Sequence, residues 1–187
     1  YRRLAQVQGM GGMPNLGDPQ SAARGYREAA ALLESIGGST ARDPRERIWL
    51  AETYVRLGNY ESDPARKKAL LQRSRDLIEG IAPERHAGVV ALGTFNVVWG
   101  AISNDQLAAK DFAAAEASKR KALTATEAAL RLEPGNLDVS RNLSLNYKTL
   151  GAIIQTLGRH DEALSLYEMA IVLDADRVAR QPQQPLR

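Results

Sequence analysis

The sequence predicts an all-α fold of about four antiparallel helix pairs stacked into a right-handed superhelix, and three observations lead there. Hydrophobic residues make up 44% of the 187 positions while aromatics make up only 5%. That balance, led by alanine, leucine and arginine, favours helices over the β-branched and aromatic usage of sheets. Prolines and glycines divide the chain into short segments, and no proline falls inside a predicted helix. Finally, sliding the chain against itself by 141 residues places Leu16-Gly17 on Leu157-Gly158, Ala22 on Ala163, Tyr26 on Tyr167 and Ala29 on Ala170. These matches keep to one helical face, as a repeat requires.

The first pair is expected over residues 1–37. Leu4-Ala5 opens its first helix, Gly9-Met10-Gly11-Gly12-Met13 and Pro14 interrupt it, and Gly17 precedes the second helix with Ala22, Tyr26 and Ala29. Asp18-Pro19 marks that helix start, as Asp43-Pro44 and Asp63-Pro64 mark two more: the aspartate caps free amides, and the proline occupies the first turn, where its missing amide costs nothing. The second pair, over 43–80, runs through Leu50-Ala51 and Tyr54 to the turn Leu57-Gly58-Asn59-Tyr60, after which the Asp63-Pro64 insertion displaces its second helix.

The third pair, over 84–133, follows Pro83 with Trp99-x2-Ile102-Ser103, a degenerate turn at Lys110-Asp111-Phe112, and Ala115 and Ala122 on a second helix expected to reach Leu132, since no breaker precedes Pro134. The fourth, over 137–174, carries Tyr147-x2-Leu150-Gly151-x2-Ile154, then Gly158-x4-Ala163-x3-Tyr167-x2-Ala170. Small Gly151, Ala163 and Ala170 allow close helix approach, and Tyr147, Ile154 and Tyr167 fill the holes beside them, so Leu150 and Tyr167 should be buried. Turns at 17, 58, 110 and 158 are spaced by 41, 52 and 48 residues. Residues 1–177 are read as one domain and 178–187, with Pro182 and Pro185, as a disordered polar tail.

Composition also limits function. Twenty-five Lys and Arg against 22 Asp and Glu give a net charge of +3, with few same-sign runs such as Lys119-Arg120-Lys121, too weak a bias for nucleic acid. The chain has no cysteine and only His86 and His160, which argues against zinc and thiol chemistry. No apolar run approaches the roughly 18 residues that span a bilayer. Tyr1-Arg2-Arg3-Leu4 reads like the middle of a helix, so a longer parent protein is expected. Gly9–Met13 lacks the lysine and hydroxyl of a phosphate loop and reads as a connection between helices. His160-Asp161-Glu162 and the surroundings of His86 read as solvated turns, the carboxylates drawn to a helix N-terminus by its dipole. Asn142-Leu143-Ser144 falls in a predicted helix and reads as a chance match to a glycosylation pattern. No catalytic, cofactor or metal site is assigned, and an enzyme is not expected from this segment.

The spacing in the fourth pair resembles the tetratricopeptide (TPR) repeat. The combination in the first pair, from Tyr1-Arg2-Arg3-Leu4 through Val7-Gln8-Gly9 to Asn15-Leu16-Gly17-Asp18, Ala22 and Tyr26, resembles the C-terminal TPR region of bacterial serine/threonine protein kinases. None of the kinase signature is present, so the resemblance implies a non-catalytic, protein-binding or sensory segment on either side of a membrane. Ala175 stands where the repeat usually has proline, leaving that helix end less sharply set. In such repeats the first helix of each pair lines a concave groove. The resemblance thus implies partner contacts at Trp49, Glu52 and Arg56 in the second pair, Asn104 in the third, and Lys148, Ala152, Gln155 and Thr156 in the fourth. Trp49 reads either as core filling or as an exposed anchor; Arg141 and Lys148 read as carboxylate contacts or as a solvated face. The lysine and asparagine four residues apart that clamp chaperone tails are missing: Ala152 follows Lys148 and Gly100 precedes Asn104 at that spacing. The expected partner is a protein or peptide, with a transcription-regulator segment or a homo-oligomer as alternatives.

Overall fold

The computed structural model describes residues 7, 16–37, 43–81 and 88–180. Among them it is all-helical: α1 (Pro19–Ser35), α2 (Pro44–Gly58), α3 (Pro64–Ile78), α4 (Val89–Ala108), α5 (Phe112–Leu132), α6 (Leu137–Thr156) and α7 (His160–Arg180). The first helix of the first pair, the Gly9–Met13 stretch and His86 lie outside the described residues. The Asp-Pro expectation holds at all three sites. Asp18, Asp43 and Asp63 accept from the amides of Ser21, Arg45 and Ala65, each at 2.9 Å. Asp111 caps α5 in the same way and Asn136 caps α6, each meeting a donor that the first turn leaves without a helical partner.

The chain divides into two compact units, Tyr1–His86 and Ala87–Arg187. In the first, α1 buries Ala22, Ala23, Tyr26, Ala29 and Ala30. The Tyr26 ring stacks on Tyr60 in the turn after α2, with centroids 5.9 Å apart. Glu34 at the end of α1 accepts the Tyr54 hydroxyl of α2. Burial, and then that bond, push the Tyr54 hydroxyl up to about 12. Helices α2 and α3 are antiparallel, with Ser74 Oγ donating to the Ala51 carbonyl at 2.9 Å and the Arg73 guanidinium 6.0 Å from the Tyr54 ring. The Asp63-Pro64 insertion shows as a five-residue connection between α2 and α3, Asn59 to Asp63.

The second unit contains two helix pairs in one register. Helices α4 and α6 are both 20 residues long, α5 and α7 both 21, and each element of the second pair begins 48 residues after its counterpart. Even the turns agree. The amides of Ala109, Lys110 and Asp111 donate to the carbonyls of Asp105, Leu107 and Gln106, and those of Leu157, Gly158 and Arg159 repeat the pattern on Ile153, Gln155 and Ile154. The left-handed residue of this turn is Lys110 in one pair (φ 59°) and Gly158 in the other (φ 80°). Buried positions also correspond: Leu92, Phe95, Val98, Trp99, Ile102 and Ser103 of α4 fall on Ser140, Leu143, Asn146, Tyr147, Leu150 and Gly151 of α6.

The packing of the fourth pair follows the expectation closely. Leu150 is fully buried in a cluster with Leu123, Leu143, Tyr147, Ile154 and Leu166. A Cβ on Gly151 would stand 2.9 Å from the Tyr167 ring, so only glycine lets α6 and α7 approach this closely with that ring between them. Tyr167 itself, expected to be buried, is half-buried, because its hydroxyl reaches out to Gln155 Oε1 at 3.1 Å. Helix α5 ends at Leu132 as expected. Helix α7 runs past 174 to Arg180, three residues into the segment read as tail, with no proline at 175 to stop it; residues 181–187 lie outside the described residues.

Candidate protein-binding surface

In the first unit the candidate residues all sit on α2. Trp49 is 40% exposed, so its ring projects from the helix and is not core filling. Glu52, one turn on, is buried and accepts from Arg56 Nη2 at 3.3 Å and Nε at 3.4 Å, an i,i+4 pair. The pair holds the guanidinium close to the helix. Trp49, Glu52 and Arg56 recur at three and four residues and share one face, but their roles differ: Glu52 is taken up in fixing Arg56, leaving Trp49 as the exposed group. The Thr53 hydroxyl bonds back to the Trp49 carbonyl at 2.7 Å and stays within the helix.

In the second unit the candidates lie on α4 and α6. Asn104 is exposed near the end of α4, and Ala152 and Thr156 are exposed on α6. Lys148 is exposed but joined to Asp174 of α7, and this bond, with help from Ser144 and Arg177, holds the Asp174 carboxyl down at about 2. Gln155 takes the Tyr167 hydroxyl. Lys148 and Gln155 therefore both bridge to α7 within their own pair, and a partner reaching them meets groups already bonded. Arg141 and Asn142 are exposed on α6.

A buried polar chain links α4, α5 and α6, and sequence reasoning missed it. Asn146 Nδ2 donates to Asn96 Oδ1 at 2.7 Å and to Thr126 Oγ1 at 2.9 Å, while its Oδ1 accepts from Lys119 Nζ at 3.3 Å. Thr126 passes its own proton to the Ala122 carbonyl at 2.8 Å. Lys119 is 5% exposed, and burial lowers its pKa from the ordinary lysine range. The signal was present as Asn146 between the core positions Leu143 and Tyr147, but a polar residue at helical spacing reads as surface until the neighbouring helix is in place.

The run Lys119-Arg120-Lys121 is not a basic patch. Each member meets a different environment: Lys119 is buried against Asn146, Arg120 pairs with Glu116 and Glu162, and Lys121 lies 3.9 Å from the centroid of the Trp99 ring. Glu162, read in sequence beside His160, is held between Arg120 and Arg159, and Arg159 also reaches Glu116 at 2.8 Å. This four-residue network ties the start of α5 to the start of α7 and keeps the Glu162 carboxyl below its usual range, mainly through Arg120. Among the described residues no group of three or more His, Asp or Glu side chains is placed to hold a metal ion, and no helix is long and apolar enough to cross a membrane. No family model matches the chain, and no curated protein matches it either.

Proposed function

We propose that this chain is a protein-binding helical-repeat segment of the TPR type, and that in its first unit α2, the first helix of the second pair, presents the surface that meets a protein or peptide partner. The observation that carries this reading is Trp49. A tryptophan 40% exposed on a helix, one turn from a buried glutamate that immobilises Arg56, has the composition of an interface anchor: a large rigid ring beside a preorganised guanidinium. Exposed Lys148, already joined to Asp174, contributes far less, since exposed ion pairs are worth ~0–1 kcal/mol whereas desolvated anchors contribute ~2 kcal/mol or more. The kinase-linked origin suggested by the first pair belongs to the same proposal, as does a sensory role in a bacterial signalling protein.

The test is affinity capture from the native host with the wild-type chain and a Trp49→Ala, Arg56→Ala double variant, with circular dichroism confirming equal folding. Loss of one set of proteins from the variant capture is expected. Equal recovery would move the binding surface away from α2.

A further inference from the structure

The first unit contains a cavity of about 660 Å³ where α1 meets the turn after α2, walled by Ala23, Arg24 and Arg27 of α1 and by Tyr60, Glu61 and Ser62. That volume lies in the range of small-molecule sites. Both walls are firmly built. On α1, Arg24 and Arg27 stand one turn apart and share a face. On the turn, the amides of Asn59, Tyr60 and Glu61 donate to the carbonyls of Arg56, Leu57 and Gly58, and Glu61 Oε1 accepts the Asp63 amide at 3.1 Å. The Tyr60 ring is fixed by its stack on Tyr26. Charges of both signs line the cavity, yet they do not satisfy one another. Among the described residues Arg27 makes no ion pair and no side-chain hydrogen bond, and Glu61 meets no cation at ion-pair distance. Arg24 gives Nη2 to Ser21 Oγ at 2.9 Å and pairs with no carboxylate. Asp18 is engaged first by Ser21 at the helix cap and only secondarily feels the Arg24 charge.

We propose that this cavity binds a small zwitterion, a molecule with one free carboxylate and one free ammonium, such as an amino acid or a short peptide. Arg24 and Arg27 take the carboxylate, to which the planar guanidinium fork is matched. Glu61, whose Oε1 alone is engaged, takes the ammonium on Oε2. The pattern of signs selects this class of ligand. A bare anion would sit beside the Glu61 carboxylate and a bare cation beside two guanidiniums, each a like-charge contact that costs affinity. A ligand carrying both charges meets the opposite sign at both ends. The rest of the volume is faced by Pro19, Ala23 and the Tyr60 ring, which accommodates an apolar side chain. None of Trp49, Glu52 and Arg56 lines the cavity, so this site and the α2 surface stand or fall separately.

The experiment is a titration of the 187-residue chain, followed by backbone-amide NMR, with leucine and with leucyl-leucine up to about 10 mM, a range that includes millimolar affinity. Saturable shifts centred on the amides of Ala23, Tyr60 and Ser62 are expected with at least one of the two. Leucine alone would identify a free amino acid, and the dipeptide alone a peptide. Blocking the ammonium by N-acetylation, or the carboxylate as its amide, should each weaken the ligand that binds by at least about tenfold. The blocked ligands test the wild-type chain itself, so the result does not depend on any variant folding. The Arg24→Gln, Arg27→Gln double variant should lose the preference for acid over amide, and Glu61→Gln the preference for free amine over N-acetyl. Arg141→Gln, at an exposed arginine of α6 in the second unit, should keep both. No saturation by either zwitterion, equal binding of the blocked forms, shifts centred outside the cavity, or unchanged preferences in the cavity variants would each overturn the proposal.

Discussion

The pairs α4–α5 and α6–α7 have the same helix lengths, the same turn hydrogen bonds and the same spacing of buried positions, yet different chemistry fills the matching places. Where α6–α7 brings Gly151 against the Tyr167 ring, α4–α5 has Ser103, whose hydroxyl donates to the Ala115 carbonyl at 2.9 Å. Tyr167 falls at the position of Lys119 in α5. One is a half-buried ring within its own pair; the other is a buried cation that reaches forward to Asn146 of the next pair. Backbone geometry is thus set by spacing, turn and small residues, while the side chains at those places are free to serve either packing within a pair or attachment between pairs. In the third pair they attach it to the fourth, and among the described residues the corresponding face of the fourth is exposed.

Core truncation should give the largest effect and should treat the two pairs alike. Leu150 and its counterpart Ile102 are both buried, so Leu150→Ala and Ile102→Ala should each cost ~2–5 kcal/mol, read as a lowered midpoint in chemical denaturation. A large loss at one and none at the other would break the equivalence of the pairs.

Next comes the polar chain that α6–α7 does not repeat. Asn146→Leu leaves the buried Lys119 ammonium without the Asn146 Oδ1 acceptor and should cost ~1–3 kcal/mol, whereas Lys119→Met removes the charge that needed satisfying and should stay within ~1 kcal/mol of wild type. The pH dependence has a definite sign. Burial lowers the folded-state pKa of Lys119 below 10.5, so just below that value the unfolded chain holds more protons and stability rises with pH toward it. Tyr54 and Tyr147, both pushed up to about 12, act oppositely above about pH 10. The wild-type minus Lys119→Met difference isolates the lysine, and that difference should favour wild type increasingly as pH rises toward 10.

The turn should give the smallest effect, with opposite signs in the two pairs. Lys110 holds a left-handed conformation that costs a side-chain-bearing residue ~1–2 kcal/mol, part of which Lys110→Gly returns before the extra freedom of the unfolded chain offsets ~0.4–1 kcal/mol. Gly158→Ala imposes the same strain and should destabilise by ~1 kcal/mol. Thermal melts of both variants side by side would expose any difference between the turns.

Much of this architecture was legible in the sequence because it rests on local chemistry. Asp-Pro pairs cap helices wherever they occur, and the end of α5 at Leu132 follows from Pro134. The small and large residues of the fourth pair announced their packing, down to Gly151 against Tyr167. What could not be read depends on which helix lies alongside. Lys119 looked like part of a basic run, and Lys148 and Gln155 like open groove positions, until α6 and α7 supplied their partners. Val178 was read as part of the polar tail; it lies on α7, where it and Ile171 are exposed among the described residues although the same register of the neighbouring pair is covered. Trp49 remained ambiguous for the same reason, since periodicity on α2 does not distinguish a ring facing α3 from one facing outward.

The central claim, that α2 presents a protein-binding anchor, is tested most directly by the fluorescence of Trp49. The chain has two tryptophans, Trp49 at 40% exposure and Trp99 at 5%, so Trp99→Phe leaves Trp49 as the sole reporter. Titrated with the partner recovered by affinity capture, its emission should shift to the blue and saturate in step with binding, as an exposed indole becomes desolvated. Saturable binding with unchanged Trp49 emission would contradict the account and place the interface on another face.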